Sequence, residues 1–200
     1  MKNKNPIFIM FSGILLTIGI FGFAISPFLF DSEISEIRTE ISDFEYRRQL
    51  AHINLSDGEN WWKYAGTTAN TMSILLELNA PQYKLDKRKI DYFTESKFSL
   101  NCFVIAAECA KGNFDIDVDS LMKKWDGISS PEEIFALQTE YVSIAHSELE
   151  NLEKNIKNNK GQINHLETNR KWFWIICIIV QTLGMFIGIY HSYIKETNDK

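Results

Sequence analysis

Long apolar runs lie near both ends of the chain, and the residues between them alternate between polar and apolar. The runs cover 6–30 and 172–190, and neither contains a formally charged side chain. Each is long enough to cross a hydrocarbon core about 30 Å thick, which takes about 20 helical residues. Trp172, Trp174 and Tyr190 mark the ends of the second run, where aromatic rings favour the headgroup region. The pattern predicts two transmembrane helices.

The first run also has features of a secretory signal peptide, because Lys2 and Lys4 precede it. It is longer, however, than the usual apolar stretch of about 7 to 15 residues. Ala24 and Ser26 form a cleavage-like pattern, but Pro27 follows directly, and signal peptidase tolerates proline there poorly. We therefore expect an uncleaved signal anchor. Proline removes a backbone donor, so Pro27 should bend or end the helix.

Helical spacing of apolar residues begins directly after the first run. Ile34, Ile37 and Ile41 lie three or four residues apart with charged residues between them. This spacing is typical of an amphipathic helix. We expect the helix to end at 55–58, where Gly58 lies, because glycine weakens a helix interior.

Two further helices and a short one are predicted before residue 130. The second helix should cover 61–78 and stop at 79–81, which contains a proline. The third should run from 86 to 111, with a glycine after its end. A short helix follows, for which Asp119 is the predicted N-cap. The expected fold class is all-α, with a helical-bundle domain between the two transmembrane helices.

The last helix is predicted to be the longest. Ser130 as N-cap, Pro131 at the first helical position and Glu133 three residues after the cap form a helix-start pattern. Heptad spacing then predicts a coiled-coil-like helix over 130–171 that runs into the second transmembrane helix. Only the polar segment 158–161 interrupts the spacing. The predicted seam residues are Leu149, Leu152, Ile156, Ile163 and Leu166.

The expected organisation has five segments: a short tail (1–5), the first transmembrane helix (6–30), a soluble helical domain (31–171), the second transmembrane helix (172–190) and a short tail (191–200). The soluble segment contains 17 Lys or Arg against 24 Asp or Glu. This acidic balance argues against nucleic acid as the main partner, because phosphate binding needs a basic surface.

Charge near the chain ends predicts the orientation. Lys2 and Lys4 favour a cytoplasmic N-terminus, and two transmembrane helices return the C-terminus to the same side. The abundance of Lys, Asn and Ile favours a bacterial source, so we expect the bacterial inner (plasma) membrane and an extracytoplasmic domain. Arg170 and Lys171 beside the second span, and unpaired cysteines in the domain, argue for the opposite orientation.

Small residues form a stripe in each apolar run. Gly184 and Gly188 form a GxxxG pattern, and Gln181 places an amide near the middle of the second run. Small side chains let helix backbones approach closely, and an amide in lipid seeks a hydrogen-bond partner. We therefore expect the spans to pack as a close pair or in an oligomer. The predicted packing residues are Ser12, Gly19, Gly22, Ser26, Cys177, Gln181, Gly184 and Gly188.

Few residues are candidates for catalysis or for binding a metal or cofactor. Asp115, Asp117 and Asp119 have the alternate spacing of a calcium-binding loop, but apolar residues separate them and Ser120 replaces the glycine of the turn. An extended segment entering a capped helix explains them better. The histidines lack metal-ligand spacing, and no nucleophile motif or Gly-rich phosphate loop is present. We therefore expect no catalytic residue, no metal and no cofactor.

These patterns favour a non-enzymatic function. The first hypothesis is a sensor, adaptor or scaffold, in which the helical domain binds a partner and the spans change their oligomeric packing. Membrane lipid and a protein partner or a second copy of the chain are the expected partners. The aromatic cluster of Trp61, Trp62 and Tyr64 is one possible anchor for such a partner. The alternative is a membrane-disrupting effector of a bacterial anti-phage or toxin-like system, held silent by a partner.

Overall fold

The computed structural model describes residues 6–128 and 130–198, and every regular element within them is helical. The expected all-α class is thus confirmed for this part of the chain. The N-terminal tail at 1–5 and the last two residues lie outside it. The elements are α1 (Pro6–Ser26), a π-helical turn (Pro27–Asp31), α2 (Ser32–Glu77), α3 (Gln82–Lys111), α4 (Val118–Lys124) and α5 (Pro131–Asn198).

The chain forms two compact units, and α2 and α5 contribute to both. One, here called the paired unit, consists of Met1–Glu40 and Asn158–Lys200. The other, here called the bundle unit, is Ile41–Lys157. Both boundaries fall inside the helices α2 and α5. The paired unit therefore includes residues 31–40 and 158–171, which the sequence analysis placed in the soluble domain.

The paired unit is an antiparallel helix pair. The early part of α1 lies beside the late part of α5, as shown by Ser12 and Gly184, and the start of α2 lies beside 158–170. Both α1 and the end of α5 are long and apolar enough to cross a membrane. Only 11% of the most apolar window of each is buried, which is unlike the core helix of a soluble protein.

Pro27 does not end the first helix. A π-helical turn begins at this residue and leads directly into α2. A proline nitrogen cannot donate the usual backbone hydrogen bond, and a π-turn is one way for a helix to continue past such a site. The helical backbone therefore extends from α1 into α2 without a loop.

The bundle unit packs α2, α3, α4 and α5 around two apolar clusters. The larger cluster joins the three long helices and is rich in alanine, which brings the helix backbones close together. Its buried residues are Ala51, Leu55, Phe103, Ala106, Ala107, Ala110, Ala145, Leu149 and Leu152. The second cluster, Leu100, Val104 and Trp125, holds α4 against α3 and α5.

The predicted break between the first two helices of the domain is wrong, because α2 is continuous from Ser32 to Glu77. Gly58 lies in its interior and is buried. A Cβ added to it would be 2.5 Å from Cε1 of Phe103 on α3. The glycine therefore permits close contact between two helices and does not end one.

The predicted N-cap residues of two helices, α5 and α4, are confirmed only in part. Ser130 precedes α5, and its hydroxyl oxygen accepts a bond of 3.4 Å from the backbone N–H of Glu133, as the capping pattern predicts. The predicted cap of α4 is wrong by two residues, since Asp117 and not Asp119 is the N-cap. The apolar Val118 then becomes the first helical residue.

Helix ends were predicted more closely. Gly112 ends α3 in the left-handed conformation, with φ of 90°, and its N–H bonds the Cys109 carbonyl. Asn79 ends α2 in the same region, with φ of 50°. Glycine and asparagine are the residues that tolerate this conformation best. The polar segment 158–161 of α5, in contrast, remains helical throughout.

Candidate functional site: the interface of the paired helices

Glycines of each apolar helix lie against the other helix. A Cβ added to Gly19 would be 2.7 Å from the Cβ of Gln181 and 3.1 Å from the backbone oxygen of Cys177. A Cβ on Gly184 would be 3.0 Å from the Cβ of Leu15. These distances leave no room for a side chain. The two backbones approach because the positions are glycine.

The other small residues complete the same interface. A Cβ on Gly22 would be 3.6 Å from the Cβ of Cys177, and one on Gly188 would be 3.0 Å from Oγ of Ser12. Ser12, Ser26 and Cys177 are all buried. The structure thus brings together all eight residues of the predicted packing set, and it does so within one chain.

Two hydrogen bonds connect the helices inside the apolar segments. Oγ of Ser12 donates to the carbonyl oxygen of Gly184 over 2.7 Å. Nε1 of Trp174 donates to Oγ of Ser26 over 2.6 Å. Hydrogen bonds between helices contribute to association where water is absent. The sequence predicts Trp174 only as an aromatic residue at the headgroup level, because its spacing does not reveal a partner on the other helix.

Charged pairs continue the same antiparallel register beyond the apolar segments. Asp31 pairs with Arg170, and Arg38 pairs with Glu167 at 3.2 Å. Farther along, Nδ2 of Asn159 donates to a carboxylate oxygen of Glu40. Exposed pairs of this kind contribute little stability each. Their effect is to select one register, since a shifted helix would lose several of them together.

The predicted coiled-coil seam is divided between the two units. Leu149, Leu152 and Ile156 are buried in the bundle unit. Ile163 and Leu166 belong to the paired unit and are partly buried. The residues follow one face of α5, but Leu149 and Leu152 pack with apolar residues of both α2 and α3. A simple two-stranded seam therefore describes only part of it.

The acidic segment before α4 forms one side of an open depression of about 390 Å³. Asp117 uses its carboxylate to accept hydrogen bonds from the backbone N–H groups of Asp119 and Ser120 and from the Ser120 hydroxyl. The bond from the Ser120 hydroxyl is the main cause of the lowered pKa of Asp117. Asp115 and Asp119 lie nearby without forming a cluster of metal ligands with it in the described chain.

Glu108 lines the same depression and is also partnered. It accepts hydrogen bonds from Lys111 and Asn113 at the end of α3. The bond from Lys111 is the first cause of the lowered pKa of Glu108, followed by the bond from Asn113. The carboxylates of Asp117 and Glu108 thus stabilise helix ends, which explains their presence without a bound ligand.

Aromatic side chains form a partly exposed surface on α2 and α3, here called the aromatic surface: Trp61, Tyr64 and Phe98. Trp61 stacks on Phe98 with ring centroids 5.2 Å apart and meets Tyr64 edge-on at 5.8 Å. All three remain exposed. Trp62, its neighbour in sequence, points instead toward Phe103 and Phe135.

The chain was compared with protein-family models, curated proteins and solved structures. None of the three comparisons gives a match. The geometry of this chain is therefore the basis for the functional argument.

Proposed function

We propose that this chain is a two-pass membrane protein in which a helical domain binds a partner and alters the packing of the membrane helices. It acts as a sensor, adaptor or scaffold and not as an enzyme. The observation that carries the proposal is that α2 and α5 both contribute to the paired unit and to the bundle core. A change in one unit can therefore pass along the same two helices to the other.

Membrane placement is supported by the surface of the paired helices. Apart from the small-residue interface, α1 and the end of α5 expose large aliphatic and aromatic side chains such as Phe8, Phe21 and Phe186. In water such a surface would be a liability, whereas lipid accommodates it. We place the pair in the bacterial plasma membrane, with both termini in the cytoplasm and the domain outside.

Partner binding is assigned to the aromatic surface of Trp61, Tyr64 and Phe98. Tryptophan and tyrosine are the residues that most often dominate the binding energy of protein interfaces. The acidic balance of the domain disfavours nucleic acid as the main partner. A protein partner is therefore the proposed occupant of this surface.

The orientation is tested with a cysteine introduced at the exposed Gly127, because Cys109 is buried and Cys102 is partly buried. The three native cysteines are replaced by alanine, and an impermeant thiol reagent is added to intact and to opened cells that express Gly127→Cys. Labelling in intact cells supports an extracytoplasmic domain. Labelling confined to opened cells would place the domain in the cytoplasm.

Coupling between the units is tested by an engineered cross-link. Gly22→Cys is combined with the native Cys177, and the rate of disulfide formation reports the packing of the paired helices. Leu149→Ala opens a cavity in the bundle core, and Glu150→Ala changes the adjacent exposed position as a control. We expect Leu149→Ala alone to change the rate. Equal rates in both variants would contradict transmission.

Expression separates this function from the membrane-disrupting alternative. A sensor or scaffold should be harmless when expressed alone. Membrane leakage that disappears in Gly184→Leu or Gln181→Leu would favour the effector instead.

A further inference from the structure

Gln181 lies in the middle of the apolar segment 172–190, and its amide has no hydrogen-bond partner in the part of the chain that the structure describes. Its Cβ packs on Gly19, but the carboxamide bonds no group among residues 6–128 and 130–198. The neighbouring hydroxyl of Thr182 is also without a partner in this described region. By contrast, Ser12 and Thr17 of the facing helix donate to the carbonyl oxygens of Gly184 and Gly13.

An unsatisfied amide is costly at this depth if the helix lies in lipid, as the proposed function requires. No water is available there, and an unpaired polar group loses its hydration without compensation. Gln181 is only partly buried by α1, so part of its side chain faces outward. The helix pair formed by one chain therefore leaves a polar group that a further helix could satisfy.

We propose that the paired helices bind a second copy of this chain through the edge of α5 that contains Gln181. A carboxamide has both donor and acceptor groups, so two glutamines related by a two-fold axis satisfy each other. The same residue on an identical chain is thus a complete partner, and no additional polar group needs to be supplied. The inference rests on the proposed membrane placement.

The second interface is distinct from the first on α5. Cys177 and Gly184 lie on one side of Gln181 and are buried against α1. Ile178 and Met185 lie on its other side by helical spacing, and both are exposed. A second copy that meets Gln181 would cover these two residues. The contact within the chain and the contact between chains can therefore exist together.

Cysteine cross-linking in lipid vesicles tests this geometry with the full-length chain. The three native cysteines are replaced by alanine, and single cysteines are introduced by Ile178→Cys or Met185→Cys. Ile179→Cys and Phe186→Cys serve as controls, because both positions are at least as exposed as Ile178 and Met185 but lie on another face of the helix. We expect covalent dimers from the first two variants and few from the controls. Equal yields from all four, or no dimer, would overturn the proposal.

The role of the amide is tested in the Met185→Cys background. Gln181→Leu should reduce dimerisation about 3- to 30-fold, the range expected for loss of hydrogen bonds between membrane helices. Gln181→Asn retains an amide and should preserve part of the dimerisation. Thr17→Val removes a hydroxyl that is already satisfied within its own helix, so it should leave dimerisation unchanged. An equal yield from Gln181→Leu and the parent would assign the contact to apolar packing alone and contradict the proposal.

The same samples separate failure of this inference from failure of the proposed function. Alkaline carbonate extraction reports whether the chain is embedded in the membrane. A chain that is released contradicts the membrane placement and with it both proposals. An embedded chain without the expected cross-linking pattern contradicts only the second copy at Gln181.

Discussion

Gly58 on α2 lies directly against the ring of Phe103 on α3. An added Cβ would be 2.5 Å from Cε1 and 2.6 Å from Cδ1 of that ring. The carbonyl oxygen of Gly58 also accepts a hydrogen bond of 2.8 Å from the buried hydroxyl of Ser99. Because Phe103 is fully buried at the centre of the bundle core, it cannot move aside easily.

Gly58→Ala should therefore destabilise the protein although alanine favours helices. We expect a loss of about 1 to 3 kcal/mol from overpacking, measured as a lower thermal midpoint of the full chain in detergent. Gly66→Ala is the matched control in the same helix, since no atom lies within 4 Å of its added Cβ. That change should stabilise the chain by about 0.5 to 1 kcal/mol. Stabilisation by both substitutions would contradict the close contact of α2 with α3.

Gly58 also shows why the domain could be predicted only in part. The alternation of apolar and polar residues was sufficient for the all-α class, and local stop residues such as Asn79 and Gly112 located two helix ends. A glycine inside a helix gives the same local signal whether it ends the helix or admits a neighbour. Only the position of Phe103, 45 residues later in the sequence, distinguishes the two.

The buried face of a long helix was also difficult to predict from the spacing of apolar residues. Ile34, Ile37 and Ile41 are buried as their pattern predicts. Farther along α2, Ala51 and Leu55 take the buried positions, whereas the larger Ile53 is about half exposed. The helical period is not a whole number, and α2 contacts different neighbours along its length. The most apolar residue is therefore not always the buried one.

Burial of the two domain cysteines predicts their reactivity toward alkylating reagents. Burial raises the pKa of the Cys102 thiol, and the Asp57 carboxylate raises it further. The thiolate is the reactive form, so alkylation of the folded protein at neutral pH should be slow. Asp57→Asn removes the carboxylate charge that raises the pKa of Cys102. It should therefore shift the pH profile of Cys102 labelling to lower pH.

Site-resolved mass spectrometry after iodoacetamide treatment at several pH values measures this shift. Cys109 is the internal control, because its pKa is raised by burial and by Glu108, and Asp57 is not among the causes. Its profile should be the same in Asp57→Asn and the parent. A parallel shift of both cysteines would indicate general loosening of the bundle and contradict the local electrostatic effect.

Packing of α1 against α5 predicts that the first apolar segment is retained in the mature protein. Removal after Ser26 would expose the glycine face of α5 and leave the carbonyl of Gly184 and the indole of Trp174 without their partners. Mass spectrometry of protein purified from membranes should therefore detect residues 6–26 as part of the mature chain. A mature chain beginning near Pro27 would show that this segment is a cleaved signal peptide.

The spacing between Gly22 and Cys177 allows a direct test of the helix pair. A Cβ at position 22 would be 3.6 Å from the Cβ of Cys177, within the range of about 3.5 to 4.5 Å found in disulfides. Gly22→Cys should therefore form a disulfide with the native Cys177 on mild oxidation, provided that the Cys177 side chain rotates.

Gly13→Cys lies on the same helix with no atom within 4 Å of its added Cβ, so it should remain free. After proteolysis between the helices, only Gly22→Cys should leave the two apolar segments linked without reductant. Linkage in both variants, or in neither, would contradict the register in which Gly19 and Gly22 lie against Gln181 and Cys177.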